Sequence, residues 1–249
     1  MYNNILCCIP ARYQSLRLPG KPLLKINEKT IIHLVYDQVK KTNINNIVVL
    51  TDDIRIYNEV KNFGGNCEIV TDDCLNGTER IIKYLNKIDH SNFDIILNVQ
   101  GDEPFIEPGV INDVIKNYID KKPACSTVCY KTNNKEEIIL KSRGKVVVDK
   151  NNNILYCSRN VIPTNKYNNI INDHFYNIHV GIFCYNKNYL LEHYLKENTP
   201  NQLLEDIEWL KIMEQGFIVN TIFSEKLERG VDTNDDYNYL LQKYSNNTN

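Results

Sequence analysis

No stretch of the 249 residues approaches the ~20 consecutive apolar positions that a membrane-crossing helix needs, so no membrane partner is expected. The opening MYNNILCCIPAR lacks the basic start and extended apolar core of a signal peptide, which makes the cytoplasm the expected compartment. Positive charge is not in excess either. With 29 Lys and Arg against 31 Asp and Glu, the net charge is −2. Nothing here recruits nucleic acid, and any anionic ligand has to be met by a local cluster. The eight cysteines form no C-x-x-C pair, which argues against a zinc site or a disulfide framework. A Walker loop and a Ser/His/Asp arrangement for covalent catalysis are also missing. What remains is ordinary globular material, 42% hydrophobic and 24% charged.

Within that material, short apolar runs alternate with amphipathic stretches. ILCCI, IVVL (47–50) and DIILNV (94–99) read as buried strands, and residues 31–41, 54–63 and 108–118 carry helical spacing. Such alternation predicts an α/β chain with a mostly parallel central sheet and helices on both faces. The middle is strand-rich: 126–130, 145–149, 154–158 and 179–185 point to antiparallel additions or an arm that meets a second subunit. Residues 203–215 and 235–244 return to helix, around a strand at 217–223. No linker divides the chain, so residues 1–249 read as one domain.

Four stretches carry candidate chemistry. IPARYQSLRLPGKP (9–22) follows the first strand with three prolines, two arginines, one lysine and no acid. In an open α/β sheet, ligands bind beyond the carboxyl ends of the strands. Arg12, Arg17 and Lys21 there suit a polyphosphate, since each charge pair at ~4 Å and an effective dielectric near 20 gives roughly 4 kcal/mol before desolvation. NVQGDEP (98–104) closes another strand, and Asp102 suits a hard cation such as Mg²⁺. GVDTNDD (230–236) offers Asp232 as a second metal ligand ahead of a helix. NGTERI (76–81) is a glycine turn feeding a helix, with Thr78 near its start.

In order and spacing, IPARYQSLRLPGKP, NGTERI, NVQGDEP, YCSRNVIP, HVGIFCY, LLEDIEWL and GVDT resemble the 3-deoxy-manno-octulosonate (Kdo) cytidylyltransferases, the CMP-Kdo synthetases of lipopolysaccharide assembly, over essentially the whole chain. The resemblance implies a Rossmann-like nucleotidyltransferase fold, a homodimer built through the middle strands with a dimerisation and sugar-binding region around 125–190, and a Mg²⁺-dependent reaction of CTP with the sugar acid. It implies catalytic roles for Arg17, Lys21 and Asp102, nucleotide contacts from Ala11, Arg12, Thr78 and Arg80, and sugar contacts from Gln100, Arg159, His179 and Glu205. Asp102 and Asp232 take the metal. Three positions depart from the family pattern: Asn76 stands for a serine, Phe183 for a tyrosine and Asp206 for a histidine. The acid at 206 resembles variants that activate 8-amino-3,8-dideoxy-manno-octulosonate, so the acceptor stays open among Kdo, that 8-amino sugar acid and other 3-deoxy sugar acids. A catalytically dead nucleotide-binding relative is the contrasting class, and the intact Arg17, Lys21, Asp102 and Asp232 speak against it.

Overall fold

The computed structural model describes residues 2–245 apart from Leu16, Asp72 and Lys226; Met1 and 246–249 lie outside the described residues. The chain resolves into two compact units, Met1–Asn112 with Leu227–Asn249, and Asp113–Lys226. The first of the two boundaries, between Asn112 and Asp113, passes through a helix rather than a loop, so composition does not mark it.

The first unit runs through β1 (Tyr2–Ala11), the hairpin strands β2 (Lys25–Ile26) and β3 (Lys29–Thr30), α1 (Ile31–Lys40), β4 (Ile44–Thr51), α2 (Ile54–Asn62), β5 (Cys67–Ile69), α3 (Gly77–Leu85) and β6 (Ile95–Val99). Its strands pair in the order β6-β1-β4-β5, all parallel. Ile5 to Ile9 and Ile47 to Leu50 are buried at consecutive positions, on both sides of the pleat. Burial on both faces is what a parallel sheet covered by helices produces. The helices start where short polar side chains cap them: Thr30 accepts from His33 N ahead of α1, and Asp53 from Arg55 N ahead of α2. α4 (Pro108–Lys121) follows in the chain.

The second unit contains β7 (Cys125–Thr132), α5 (Lys135–Ile138), β8 (Lys145–Val148), β9 (Ile154–Ser158), β10 (Tyr176–Asn186), α6 (Lys187–Tyr189), α7 (Pro200–Glu205), α8 (Leu210–Glu214) and β11 (Val219–Phe223). β10 is antiparallel to β7 and β8, β9 is antiparallel to β8, and β11 is parallel to β7. These are the antiparallel additions expected of the middle of the chain. The single helix expected over 203–215 is instead two. Asp206 adopts a left-handed backbone (φ 51°) that ends α7, and Ile207 and Trp209 are buried before α8 begins. His179, expected to begin its strand, is the fourth residue of β10.

The chain then returns to the first unit with α9 (Asn234–Ser245). Val231 and Leu240 share a core cluster with Ile26 and Ile31, and Phe105 stacks on Tyr244 with ring centroids 3.7 Å apart. All eight cysteines are unbridged thiols, seven of them buried. Burial pushes the Cys67 and Cys129 thiols up to about 12, in keeping with packing rather than chemistry.

Candidate functional site

In the first unit the cationic stretch leaves the carboxyl end of β1 as a closed loop. Gly20 donates its N–H to the Tyr13 carbonyl at 2.9 Å, and its φ of 69° is one that glycine adopts without cost. A one-turn 3-10 helix, Lys21–Leu23, then holds the lysine. Lys21 Nζ donates to Asp102 Oδ2 at 2.6 Å and lies 3.8 Å from Asp232 Oδ1. Arg17 Nη2 reaches the same Asp232 oxygen at 3.6 Å. Burial depresses the Lys21 ammonium, but the two carboxylates outweigh it and leave its pKa above the ordinary lysine value. Lys21 is therefore charged throughout the neutral range. Arg12 is exposed and makes no ion pair among the described residues.

Main-chain contacts set the spacing of the two acids. Val231 donates its N–H to the Asp102 carbonyl at 2.8 Å. Gly230 passes so close to Glu103 that a Cβ there would meet its carboxylate at 2.9 Å. Asp236 Oδ2 accepts from the N–H groups of Asp232 and Thr233, while Thr233 Oγ1 accepts from Asp236 N, a reciprocal cap that starts α9.

Beside this cluster, the ends of β1 and β6 meet the first turn of α3. A Cβ on Gly77 would strike the Pro10 ring at 2.8 Å and Gln100 Nε2 at 3.3 Å; one on Gly101 would strike the Pro10 carbonyl at 2.9 Å and Ala11 Cβ at 3.2 Å. Ala11, Gly77, Gln100 and Gly101 are thus in mutual contact range. Thr78, fully buried, accepts from Asn98 Nδ2 at 3.3 Å. Asn76 caps α3 by accepting from Glu79 N at 2.9 Å, so asparagine does the work that a serine does at such a position. The Arg80 side chain is buried: its guanidinium donates to the Val70 carbonyl and, at 2.7 Å, to Asp52 Oδ2, fastening the chain just past β4 and β5.

The second unit holds Arg159, His179 and Glu205. Glu205 accepts from Ser158 Oγ at 2.6 Å and from Arg159 N at 3.0 Å. The Arg159 guanidinium donates to the carbonyls of Glu205, Asp206 and Lys141. Asp206 Oδ2 lies 3.4 Å from Arg159 Nη2, with its side chain 94% exposed. His179 sits beside a bulge in β10 between Val180 and Phe183. Thr127 Oγ1 donates to the Ile182 carbonyl at 2.7 Å, so at 2.9 Å from His179 Nε2 it accepts the ring N–H. Burial of the imidazole, beside Phe183 and Trp209, pushes its pKa down to about 3.

Two carboxylates here face two cations, Lys21 and Arg17, so the cluster is balanced as it stands. Asp102 and Asp232 supply oxygen donors alone, which suits a hard divalent cation completing its shell with water and phosphate oxygens. Among the described residues, no group of three or more His, Cys, Asp and Glu side chains gathers at metal-binding range.

Sequence reasoning missed Lys145. Fully buried, its ammonium donates to the carbonyls of Arg143 (2.6 Å), Arg159 (2.6 Å) and Leu140 (2.8 Å), and burial lowers its pKa to about 8. A lysine opening the apolar run KVVVD is its single sequence signal.

A family model described as Cytidylyltransferase matches residues 6–227. A 3-deoxy-manno-octulosonate cytidylyltransferase of Fusobacterium nucleatum is 39% identical over 98% of this chain and 98% of its own. The mitochondrial protein of that name from Arabidopsis thaliana is 36% identical over 94% of this chain and 81% of its own. The solved structure of a CMP:2-keto-3-deoxy-manno-octonic acid synthetase complexed with CTP matches at TM-score 0.86 and 31% identity, covering 97% of this chain and 98% of that one. A 4-diphosphocytidyl-2C-methyl-D-erythritol synthase from Anaerococcus prevotii shares the fold at TM-score 0.62 and 17% identity, over 97% and 96%.

Proposed function

The chain belongs to the 3-deoxy-manno-octulosonate cytidylyltransferase family, and from that premise we propose that it converts CTP and Kdo to CMP-Kdo and diphosphate. The observation that carries this reading is Lys21 of the cationic loop lying between Asp102 and Asp232 in the first unit.

The anomeric oxygen of the sugar forms a bond to the α-phosphorus as the bond to the bridging oxygen breaks. Diphosphate leaves, and the hydroxyl proton passes to solvent. Arg12, Arg17 and Lys21 bind the triphosphate and neutralise charge that builds on the leaving group, so positioning and electrostatics supply most of the rate. Ala11 and Gly77 form the wall offered to the nucleoside, with Thr78 buried behind it and Arg80 holding the neighbouring strand ends. Gln100, Arg159, His179 and Glu205 are assigned to the sugar acid; His179, neutral and with its Nε2 proton committed to Thr127, meets it as a hydrogen-bonding group rather than a cation. Asp102 and Asp232 would hold Mg²⁺, which when bound neutralises phosphate charge and lowers the pKa of a coordinated hydroxyl.

Diphosphate release from a mixture of protein, CTP, Mg²⁺ and Kdo tests the reading, and a flat trace overturns it. The exposed Asp206 carboxylate favours a second acceptor, the 8-amino sugar acid, whose ammonium it could offset. Turnover with that sugar in place of Kdo would reassign the substrate. We also place the protein in the cytoplasm, ahead of the lipopolysaccharide step that consumes the activated sugar, as a homodimer. Exposed Leu155, Tyr167 and Phe175 in the middle region support a subunit contact there, and sedimentation at monomer mass would refute it.

A further inference from the structure

We propose that Arg55, from the first turn of α2, is a positioning residue for the triphosphate-binding loop and acts through Tyr13. The proposal rests on the nucleotide reading above and adds a residue outside every motif.

Tyr13 is the point at which the loop closes on itself. Its carbonyl accepts the Gly20 N–H, and its ring lies against Gly20, where an added Cβ would come within 3.2 Å of the phenol carbons. Side chain and main chain of one residue therefore both grip the turn that precedes Lys21. The Arg55 guanidinium covers the Tyr13 ring with its central carbon 3.3 Å from the ring centroid. That is within the range of a cation–π contact. The guanidinium cannot drift from the ring, because Asp53 holds it with two parallel bonds, Nε to Oδ1 at 2.9 Å and Nη2 to Oδ2 at 2.7 Å. Asp53 is itself fixed as the cap of α2. The chain of contacts runs from α2 through Asp53, Arg55 and Tyr13 to Gly20, and the loop it braces presents Arg17 and Lys21 to Asp232 and Asp102. Leu18 packed on the core cluster and the Lys21–Asp102 bond anchor the later part of the loop, and the stack restrains its start at Tyr13 before nucleotide arrives. Preorganisation of this kind lowers the ordering cost of binding and acts on affinity for CTP, not on the chemical step.

Arg55→Ala, Arg55→Lys and Tyr13→Leu are compared with the unaltered protein by steady-state kinetics and by amide exchange at Gly20. Arg55→Ala and Tyr13→Leu are each expected to raise KM for CTP roughly three- to fivefold, the yield of one partly exposed cation–π contact, with kcat and KM for the sugar acid within about twofold. Arg55→Lys recovers part of the loss, and Gly20 exchange quickens in both non-conservative variants while α2 stays protected. Unchanged KM for CTP overturns the proposal whatever the exchange shows. A raised KM in Arg55→Ala with none in Tyr13→Leu also overturns it, by making Arg55 a direct phosphate contact. If the unaltered protein neither binds nor turns over CTP, the nucleotide reading fails on its own; unchanged Gly20 exchange in both variants would then still reject the brace, and quickened exchange would sustain it.

Discussion

The two units use charge for opposite ends. In the first, Arg17, Lys21, Asp102 and Asp232 face one another through side chains, partly open to solvent, and Arg12 is exposed. In the second, charged groups are spent on the main chain: Lys145 on three carbonyls, Arg159 on three more, Glu205 on a hydroxyl and an amide. Side-chain pairs can exchange partners when an anion or cation arrives, at the cost of one ion pair. The buried Lys145 cannot leave its carbonyls without orphaning a buried acceptor. The first arrangement suits a ligand that brings several charges, and the second holds Arg159 and Glu205 in one fixed setting.

That contrast can be broken most forcefully at Lys145. Lys145→Met leaves carbonyls of Leu140, Arg143 and Arg159 without their donor and is expected to cost roughly 3–5 kcal/mol in denaturant unfolding. A loss below about 1 kcal/mol would place Lys145 with the exchangeable charges. Asp102→Ala and Asp232→Ala invert the pattern. Each should lower diphosphate release by about a hundredfold or more, the scale of a lost preorganised charge, while changing unfolding by about 1 kcal/mol or less. Equal damage to stability and turnover would erase the distinction between the units.

Two pH effects sharpen it further. Glu214 accepts from Thr199 Oγ1 and from the amides of Asn201 and Gln202. Burial raises its pKa, those bonds lower it more, and the net value lies below the ordinary one. A depressed carboxyl stabilises above its unfolded pKa and loses that contribution as pH falls through the folded one. Glu214→Gln should therefore cost about 1 kcal/mol at pH 7, the worth of a helix cap, and the gap to the unaltered protein should close in acid. A gap that is constant from pH 7 to 3 would deny the carboxylate this part. His179 gives the smallest effect. Its folded pKa, about 3, lies below the 6.5 of an unperturbed ring, so its stabilising contribution is complete above 6.5 and declines as pH falls toward 3. Ring resonances of His179 should not titrate between pH 5 and 8; a midpoint near 6.5 would show an imidazole open to water.

Much of the first unit was legible in the sequence, because its site is made of loops at strand ends and loop chemistry is local. IPARYQSLRLPGKP announced its charge and stiffness, and GDEP and GVDT announced acids beside glycines; spacing alone did not say that Gly230 must pass within contact of Glu103. β5 escaped notice because three residues carry no period. In the second unit legibility fell away. The break between α7 and α8 follows from one left-handed backbone at Asp206, a conformation open to aspartate but not signalled by the helical spacing around it. The fixing of Arg159 by carbonyls 46 and 47 positions downstream has no trace in local pattern. Arg55 was invisible for the same reason: its partner Tyr13 lies 42 positions upstream, and only the close approach of α2 to the loop pairs them.

The discontinuity of the first unit sets an order of events during synthesis. Asp232 comes from the stretch that follows the whole of the second unit, and Val231, Leu240 and Tyr244 anchor it against residues near 26, 31 and 105. Leu18 of the cationic loop packs against the same cluster, so a nascent chain on the ribosome can lay down the parallel sheet early but seats this loop only once its last segment has been made.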